Sequence, residues 1–168
     1  MTGTAGTRAE PALLGIYLND HLAGATGGLE LARRAAGAQP DTDRGKQLAT
    51  LATEIAEDRD ALVAMMSGLG VPVRQYKVYS AWAAEKVGRL KLNGHLLDRS
   101  PLSSLVEVEA LRLGVEGKAC LWRTLRAIAD QDARLDAAPL DDLLARAGRQ
   151  AKILERLRVS VSAEIFGS

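Results

Sequence analysis

DTDRGKQLATLATEIAEDRDALVAMMSGLG, residues 41–70, is the stretch that decides the fold. Its apolar residues recur at alternating steps of three and four once Asp58 is included, which is the spacing of a helix that packs against other helices. Asp41 or Thr42 is the predicted N-cap, and the helix is predicted to end at 68–70, before Pro72. The stripe consists of Leu48, Leu51, Ile55, Asp58, Leu62, Met65 and Leu69.

Three further segments have the length and the boundary residues of long helices. Pro11 can start a helix that runs to residue 36, Pro101 one that reaches residue 130, and Pro139 one that reaches residue 166. Each of the four helices has about 28 residues, or about 42 Å, so they can pack along their whole length. We predict an all-α fold, a four-helix bundle in a single domain over 10–168, after a flexible tail over 1–9.

The lengths of the connections predict the directions of the helices. Short turns join the first two helices and the last two, whereas about 30 residues separate the second helix from the third, enough to travel the length of the bundle and return. The second and third helices are therefore predicted to run in the same direction. Segment 73–91, inside this long crossover, is predicted to form a fifth, shorter helix.

Two runs carry a family resemblance. YLNDHLAGATGGLELARR, residues 17–34, and EALRLGVEGKACLWRTL, residues 109–125, resemble small bacterial proteins of the ferritin-like superfamily. The resemblance implies a four-helix bundle with a long crossover, the same arrangement that the connection lengths favour. It also raises the question of a di-metal centre, which in that superfamily uses a Glu from each of two helices and Glu-x-x-His from each of the other two.

The sequence departs from that metal motif. The second helix has Glu54 and Glu57 in the motif positions, and the last helix has Glu155 and Arg158, where a cation would repel a metal. A standard di-iron centre is therefore not expected, and no cofactor is predicted. The alternative is an iron or manganese site of atypical composition, built from carboxylates. Its candidate ligands are Glu30, Glu54, Glu57, Glu107 and Glu116.

A polar layer is predicted midway along the bundle. His21 lies on a stripe of small and aliphatic residues in the first helix, and reflection about the first turn places it level with Asp58. Lys118 and Gln150 fall at nearly the same height on the third and last helices. Since buried ions require partners, these four side chains are expected to pair with one another. The small residues near His21 predict a close contact between helices, and Tyr17 is not assigned to the His21 face.

Two interpretations of this layer stay open. The first is structural, because buried polar groups in bundles can fix the register of the helices. The second is functional, with the layer lining a small pocket in which His21 exchanges protons or Lys118 meets an acidic ligand.

The crossover segment carries aromatic residues interleaved with basic ones. Such a mixture suits a surface that binds a partner, and it equally suits a helix that lays its aromatic side over the bundle. The residues are Tyr76, Lys77, Tyr79, Trp82, Lys86 and Arg89.

Composition limits the remaining possibilities. The formal net charge is +1, so nucleic acid is not an expected partner, and no apolar run is long enough to predict a membrane span. No secretory signal is recognised at the start of the sequence, which favours a cytoplasmic location, and Cys120 is predicted to be a small buried residue. We expect a non-catalytic scaffold, or a protein that binds a ligand or partner, and a homodimer is compatible with it. The alternative is an iron or manganese oxidase or storage protein.

Overall fold

The computed structural model describes residues 9–74 and 101–167, and within these ranges the chain is helical and has no strand. The four helices are α1 (Ala9–Gly37), α2 (Asp43–Gly68), α3 (Pro101–Ala129) and α4 (Ala137–Phe166). The prediction of an all-α fold with four long helices is confirmed. Nearly all of the predicted tail and of the predicted fifth helix lies outside the described residues.

A capped turn connects α1 to α2. Thr42 is the N-cap of α2, as the sequence allows, and its hydroxyl accepts a hydrogen bond from Gly45 N at 3.0 Å. The turn folds back closely on the first residues of α2: a Cβ at Gly45 would lie 1.8 Å from Gln39 O. This position therefore requires glycine because of the close approach of the backbone.

The end of α2 is a Schellman motif. Gly70 has a positive φ of 69°, which glycine adopts without a steric penalty. Gly70 N donates to Ser67 O at 3.0 Å, and Val71 N donates to Met66 O at 2.8 Å. The last carbonyls of α2 thus have partners at the point where the crossover begins.

Asn19 fastens the start of the crossover to α1. Its buried amide donates to Gly15 O at 2.8 Å and to Pro72 O at 3.1 Å, while its oxygen accepts from Arg74 N at 2.8 Å. Sequence patterns gave this residue no role, because a lone Asn next to a core stripe does not reveal which distant backbone groups it will satisfy.

Two contacts show how α1 and α3 align. The Tyr17 hydroxyl is hydrogen-bonded to Thr124 Oγ1 at 3.1 Å, and Arg34 Nε lies 3.6 Å from Glu107 Oε1. The start of α1 is therefore level with the end of α3, and the end of α1 with the start of α3. The two helices are antiparallel neighbours.

The contacts of α2 with α4 complete the arrangement. Arg44, near the start of α2, forms an ion pair with Glu164, near the end of α4, so these helices are also antiparallel. The short turn makes α1 antiparallel to α2, and Arg59 Nε donates across the pair to Thr26 Oγ1 at 3.2 Å. Because α1 is antiparallel to both α2 and α3, the second and third helices run in the same direction, as their long connection predicts. The last helix begins two residues before Pro139, where Asp136 caps it by accepting from Ala138 N at 3.1 Å.

Candidate functional site

A buried carboxylate from α2 meets a lysine from α3 and a glutamine from α4 in the middle of the bundle. Asp58 is 1 % exposed, and its Oδ2 lies 2.5 Å from Lys118 Nζ and 3.2 Å from Gln150 Nε2. Lys118 Nζ also donates to Gln150 Oε1 at 2.6 Å. The structure thus brings together three of the four residues of the predicted polar layer.

The same cluster extends towards the surface of α2 and α4. Arg146 Nη1 donates to Asp58 Oδ1 at 3.1 Å and to Glu57 Oε2 at 2.9 Å, and Gln150 Nε2 donates to Glu54 Oε2 at 2.9 Å. Sequence analysis missed Arg146, although it precedes Gln150 by four residues and so shares its helix face. We call this cluster the polar network; its members are Glu54, Glu57, Asp58, Lys118, Arg146 and Gln150.

Hydrogen bonding in the polar network is nearly complete. Both oxygens of Asp58 accept hydrogen bonds, and the amide of Gln150 both donates and accepts. Burial lowers the pKa of Lys118, while the neighbouring Asp58 carboxylate acts in the opposite direction. An ammonium has three N–H donors, and two of those of Lys118 are used by Asp58 and Gln150.

His21 lies apart from the polar network. Among the described residues it makes no hydrogen bond or ion pair with Asp58, contrary to the predicted pairing. The buried apolar residues in this part of α1 are Leu18, Leu22 and Leu29, which leaves His21 half-buried at the edge of the stripe. Its ring makes an edge contact with Tyr17, four residues earlier, at a centroid distance of 4.5 Å.

Tyr17 therefore lies on the same face of α1 as His21. The sequence interpretation, which did not assign Tyr17 to that face, was wrong. Burial lowers the pKa of His21, with Asp20 acting in the opposite direction.

A cavity of about 470 Å³ lies between α1, α2 and α3, directly beside the polar network. His21, Asp58 and Lys118 are all part of its lining, so the predicted layer does border a pocket. Most of the remaining lining is apolar or glycine. The larger apolar side chains are Ile55, Leu62, Leu111, Val115, Leu121 and Trp122. The other polar residues of the lining are Tyr17, Asp20 and Arg59.

Four glycines make room for this cavity. Gly24 and Gly28 of α1 lie level with Gly117 and Gly114 of α3, given the register set by the contacts of Tyr17 and Arg34. A Cβ added at any of the four would meet no described atom within 4 Å. The close contact predicted at the small residues of the first helix is therefore wrong at Gly28, which leaves open space, whereas Ala32 and Ala35, further along the same stripe, are buried in the core.

Trp122, one of the lining residues, has a buried polar atom without a described partner. The residue is 1 % exposed, and its indole Nε1 makes no hydrogen bond in the part of the chain that the structure describes. A buried indole N–H ordinarily has an acceptor. Trp122 follows Lys118 by four residues, so the unpaired indole N–H and the third N–H of Lys118 belong to neighbouring side chains on one face of α3.

The candidate metal ligands do not converge. Glu54 and Glu57 bond to Gln150 and Arg146, and Glu107 pairs with Arg34. Glu30 is exposed and Glu116 is half-buried. Within residues 9–74 and 101–167, no three His, Cys, Asp or Glu side chains form a group that could hold a metal ion.

Other predicted features have a mixed outcome. Cys120 is exposed, so the prediction that it is buried was wrong: Ala119 and Leu121 are buried, and the residue between them turns outward on the helix. The possible partner surface of the crossover lies entirely outside the described residues. It comprises Tyr76, Lys77, Tyr79, Trp82, Lys86 and Arg89.

Comparisons with protein-family models, with curated proteins and with solved structures find no match to this chain. The resemblance to the ferritin-like superfamily therefore stays a prediction from the residues. None of the described helices is long and apolar enough to cross a membrane.

Proposed function

We propose that this chain is a non-catalytic helical bundle of ferritin-like architecture that binds a small molecule in the cavity between α1, α2 and α3. The observation that carries the proposal is the cavity of about 470 Å³ itself, because its lining is largely apolar and includes a few polar side chains. Cavities that bind small molecules have this character, with about 300–1,000 Å³ of mostly apolar surface and a few polar groups.

The helix directions support the ferritin-like part of the proposal. Two antiparallel hairpins joined by a long connection, with the second and third helices running in the same direction, match the connectivity of ferritin-like bundles. The fifth, shorter helix in the crossover belongs to this proposal. A cytoplasmic location and a homodimeric state stay predictions from the sequence.

The polar network favours binding over catalysis. Both Asp58 oxygens are occupied by Lys118, Arg146 and Gln150, which leaves this carboxylate poorly placed to take a proton from a substrate. The network is instead suited to holding α2, α3 and α4 in register, and so to fixing one wall of the cavity.

The metal-binding alternative receives less support. An iron or manganese site would need the carboxylates of α2, but Lys118 and Arg146 already lie within hydrogen-bond distance of Asp58 and Glu57. Elemental analysis of protein purified without chelator separates the two functions. Iron or manganese in near-stoichiometric amount, lost in Glu57→Ala, would favour the metal-binding alternative.

Binding of an uncharged fluorescent probe tests the proposal. N-phenyl-1-naphthylamine, which brightens in apolar surroundings, is titrated into the unaltered chain, into Gly28→Leu/Gly117→Leu and into Gly148→Leu. Leucines at 28 and 117 project into the cavity and should weaken binding about tenfold or more, equivalent to a loss of about 1.4 kcal/mol.

Gly148→Leu is the matched control, since Gly148 lies in α4, away from the cavity lining, and a Cβ there also meets nothing within 4 Å. Circular dichroism checks that each variant is folded. Gly28→Ala/Gly117→Ala places smaller side chains at the same two positions of the cavity. Equal affinity in the cavity variant and the control, or no binding to the unaltered chain, would contradict the proposal.

A further inference from the structure

Lys118 is an amine at the boundary between the polar network and the cavity. It lines the cavity, and its side chain is 12 % exposed. Its Nζ donates to Asp58 Oδ2 at 2.5 Å and to Gln150 Oε1 at 2.6 Å. An unprotonated amine has two N–H groups and a lone pair, so it can keep both of these bonds. The lone pair then occupies the third position, which has no partner among the described residues.

The surroundings of Lys118 favour loss of its proton. Burial lowers the pKa of Lys118, and the Arg146 guanidinium acts in the same direction, whereas the carboxylates of Asp58 and Glu54 oppose them. Lysines that form covalent bonds with carbonyl compounds are activated in this way, by an apolar pocket or by a second cation. Lys118 therefore has the environment of a nucleophilic amine in the wall of a largely apolar cavity.

The charges of the cavity lining cancel one another. Burial lowers the pKa of His21, so its ring adds no charge at neutral pH. With no excess of either sign, the lining does not select an ionic ligand, and its apolar side chains and glycines suit an uncharged ring or chain. The charged residues of the lining are two carboxylates and two cations, namely Asp20, Asp58, Arg59 and Lys118.

We propose, on the basis of the proposed function, that Lys118 binds an apolar aldehyde covalently, as a protonated imine with Asp58 as its counterion. The nitrogen forms a double bond to the carbonyl carbon, the carbon–oxygen bond breaks, and the oxygen leaves as water with two of the three ammonium hydrogens. The positive charge stays on the nitrogen, and no oxidant or reductant is needed. The remaining N–H donates to Asp58, which keeps its bonds from Arg146 and Gln150. The apolar part of the ligand lies in the glycine-lined gap between α1 and α3.

Reductive trapping with 2-naphthaldehyde tests this proposal. Sodium cyanoborohydride at neutral pH converts an imine into a stable secondary amine, and peptide mass spectrometry locates the product in the unaltered chain. Lys118 should be labelled about tenfold or more faster than the exposed Lys46 and Lys152, because binding holds the aldehyde beside an activated amine. An excess of 2-ethylnaphthalene, which has a similar shape without a carbonyl, should slow the labelling of Lys118 alone.

Substitutions separate the contribution of the amine from that of the cavity. Lys118→Arg keeps the cation but has no amine, so only slow labelling of the other lysines should remain. Lys152→Arg, the matched control, should keep the fast labelling. Gly28→Leu/Gly117→Leu should slow the labelling of Lys118 about tenfold, and Gly148→Leu should not. Circular dichroism checks the folding of each variant, and the position of the label in the unaltered chain needs no substitution.

The possible failures are distinguishable. Labelling of Lys118 that is no faster than that of Lys46 and Lys152 overturns the imine assignment, and so does fast labelling that 2-ethylnaphthalene does not slow. In both cases the proposed function stands if N-phenyl-1-naphthylamine still binds in the cavity. If this probe fails to bind the unaltered chain, the proposed function is overturned and this inference with it.

Discussion

The polar network and the cavity lie at the same height in the bundle but differ in how their polar groups are satisfied. In the network, between α2 and α4 with Lys118 from α3, carboxylates and amides are hydrogen-bonded to cations or to one another. In the cavity, between α1 and α3, glycines replace side chains and the indole N–H of Trp122 has no described partner.

This difference suggests a division of roles. A buried network with its bonds made stabilises one register of the helices, and removing Asp58 or Lys118 leaves the other as a buried charge without its partner. An open space beside an unpaired donor contributes nothing to folding, since filling it would improve packing. The network therefore explains stability, and the cavity is where we place binding.

The largest effect is expected from breaking the network. Asp58→Ala should lower the free energy of unfolding by about 3–5 kcal/mol, because Lys118, Arg146 and Gln150 lose their shared acceptor in a buried position. Asp60→Ala on the same helix is the control: its carboxylate is largely exposed, and among the described residues it pairs only with Arg59, so its removal should change stability by less than about 1 kcal/mol. Urea denaturation measures both, and similar stability of the two variants would remove the basis for a structural network.

A smaller change in stability is expected from replacing glycines by alanine, and its sign should differ between the cavity glycines and Gly45. Gly24→Ala and Gly114→Ala should each raise the free energy of unfolding by about 0.5–1 kcal/mol, because alanine favours the helix and its methyl group enters open space. Gly45→Ala should instead destabilise by about 1–3 kcal/mol, since its Cβ collides with the backbone at Gln39. Melting curves check all three, and a loss of stability at both Gly24 and Gly114 would mean that these helices need close contact after all.

The smallest effect concerns His21 and pH. Its pKa is lowered in the folded chain below the ordinary value of 6.5, so the unfolded chain binds the proton more readily as the pH falls below that value. The free energy of unfolding should therefore decrease from pH 6.5 downwards, and His21→Asn should lack this part of the decrease. His95→Asn serves as the comparison, and a pH dependence that is the same with and without His21 would contradict the burial of this ring.

Helix boundaries and much of the polar network could be predicted from sequence because both follow from local spacing. Thr42, Pro101 and the glycines after residue 67 mark helix ends, and steps of three and four place Asp58, Lys118 and Gln150 on inward faces. The length of the crossover alone predicts the parallel direction of α2 and α3. These features depend on distances along the chain, which the sequence contains.

The cavity could not be predicted in the same way. Spacing indicates which way Gly24 and Gly117 face but not how far apart their helices lie, and small residues are compatible with close packing as well as with open space. The unpaired Trp122 N–H is likewise invisible in a pattern that treats Trp as an apolar residue. His21 was misplaced because the buried stripe of α1 passes through Leu22, one residue further along.

The most direct test of the central claim is the NMR signal of the Trp122 indole N–H, assigned by its persistence in Trp82→Phe. Our account predicts that N-phenyl-1-naphthylamine shifts this signal in the unaltered chain and in Gly148→Leu, because Trp122 lines the cavity, and shifts it much less in Gly28→Leu/Gly117→Leu. A signal that the probe does not shift in the unaltered chain, or shifts equally in Gly28→Leu/Gly117→Leu, would contradict the placement of binding in this cavity.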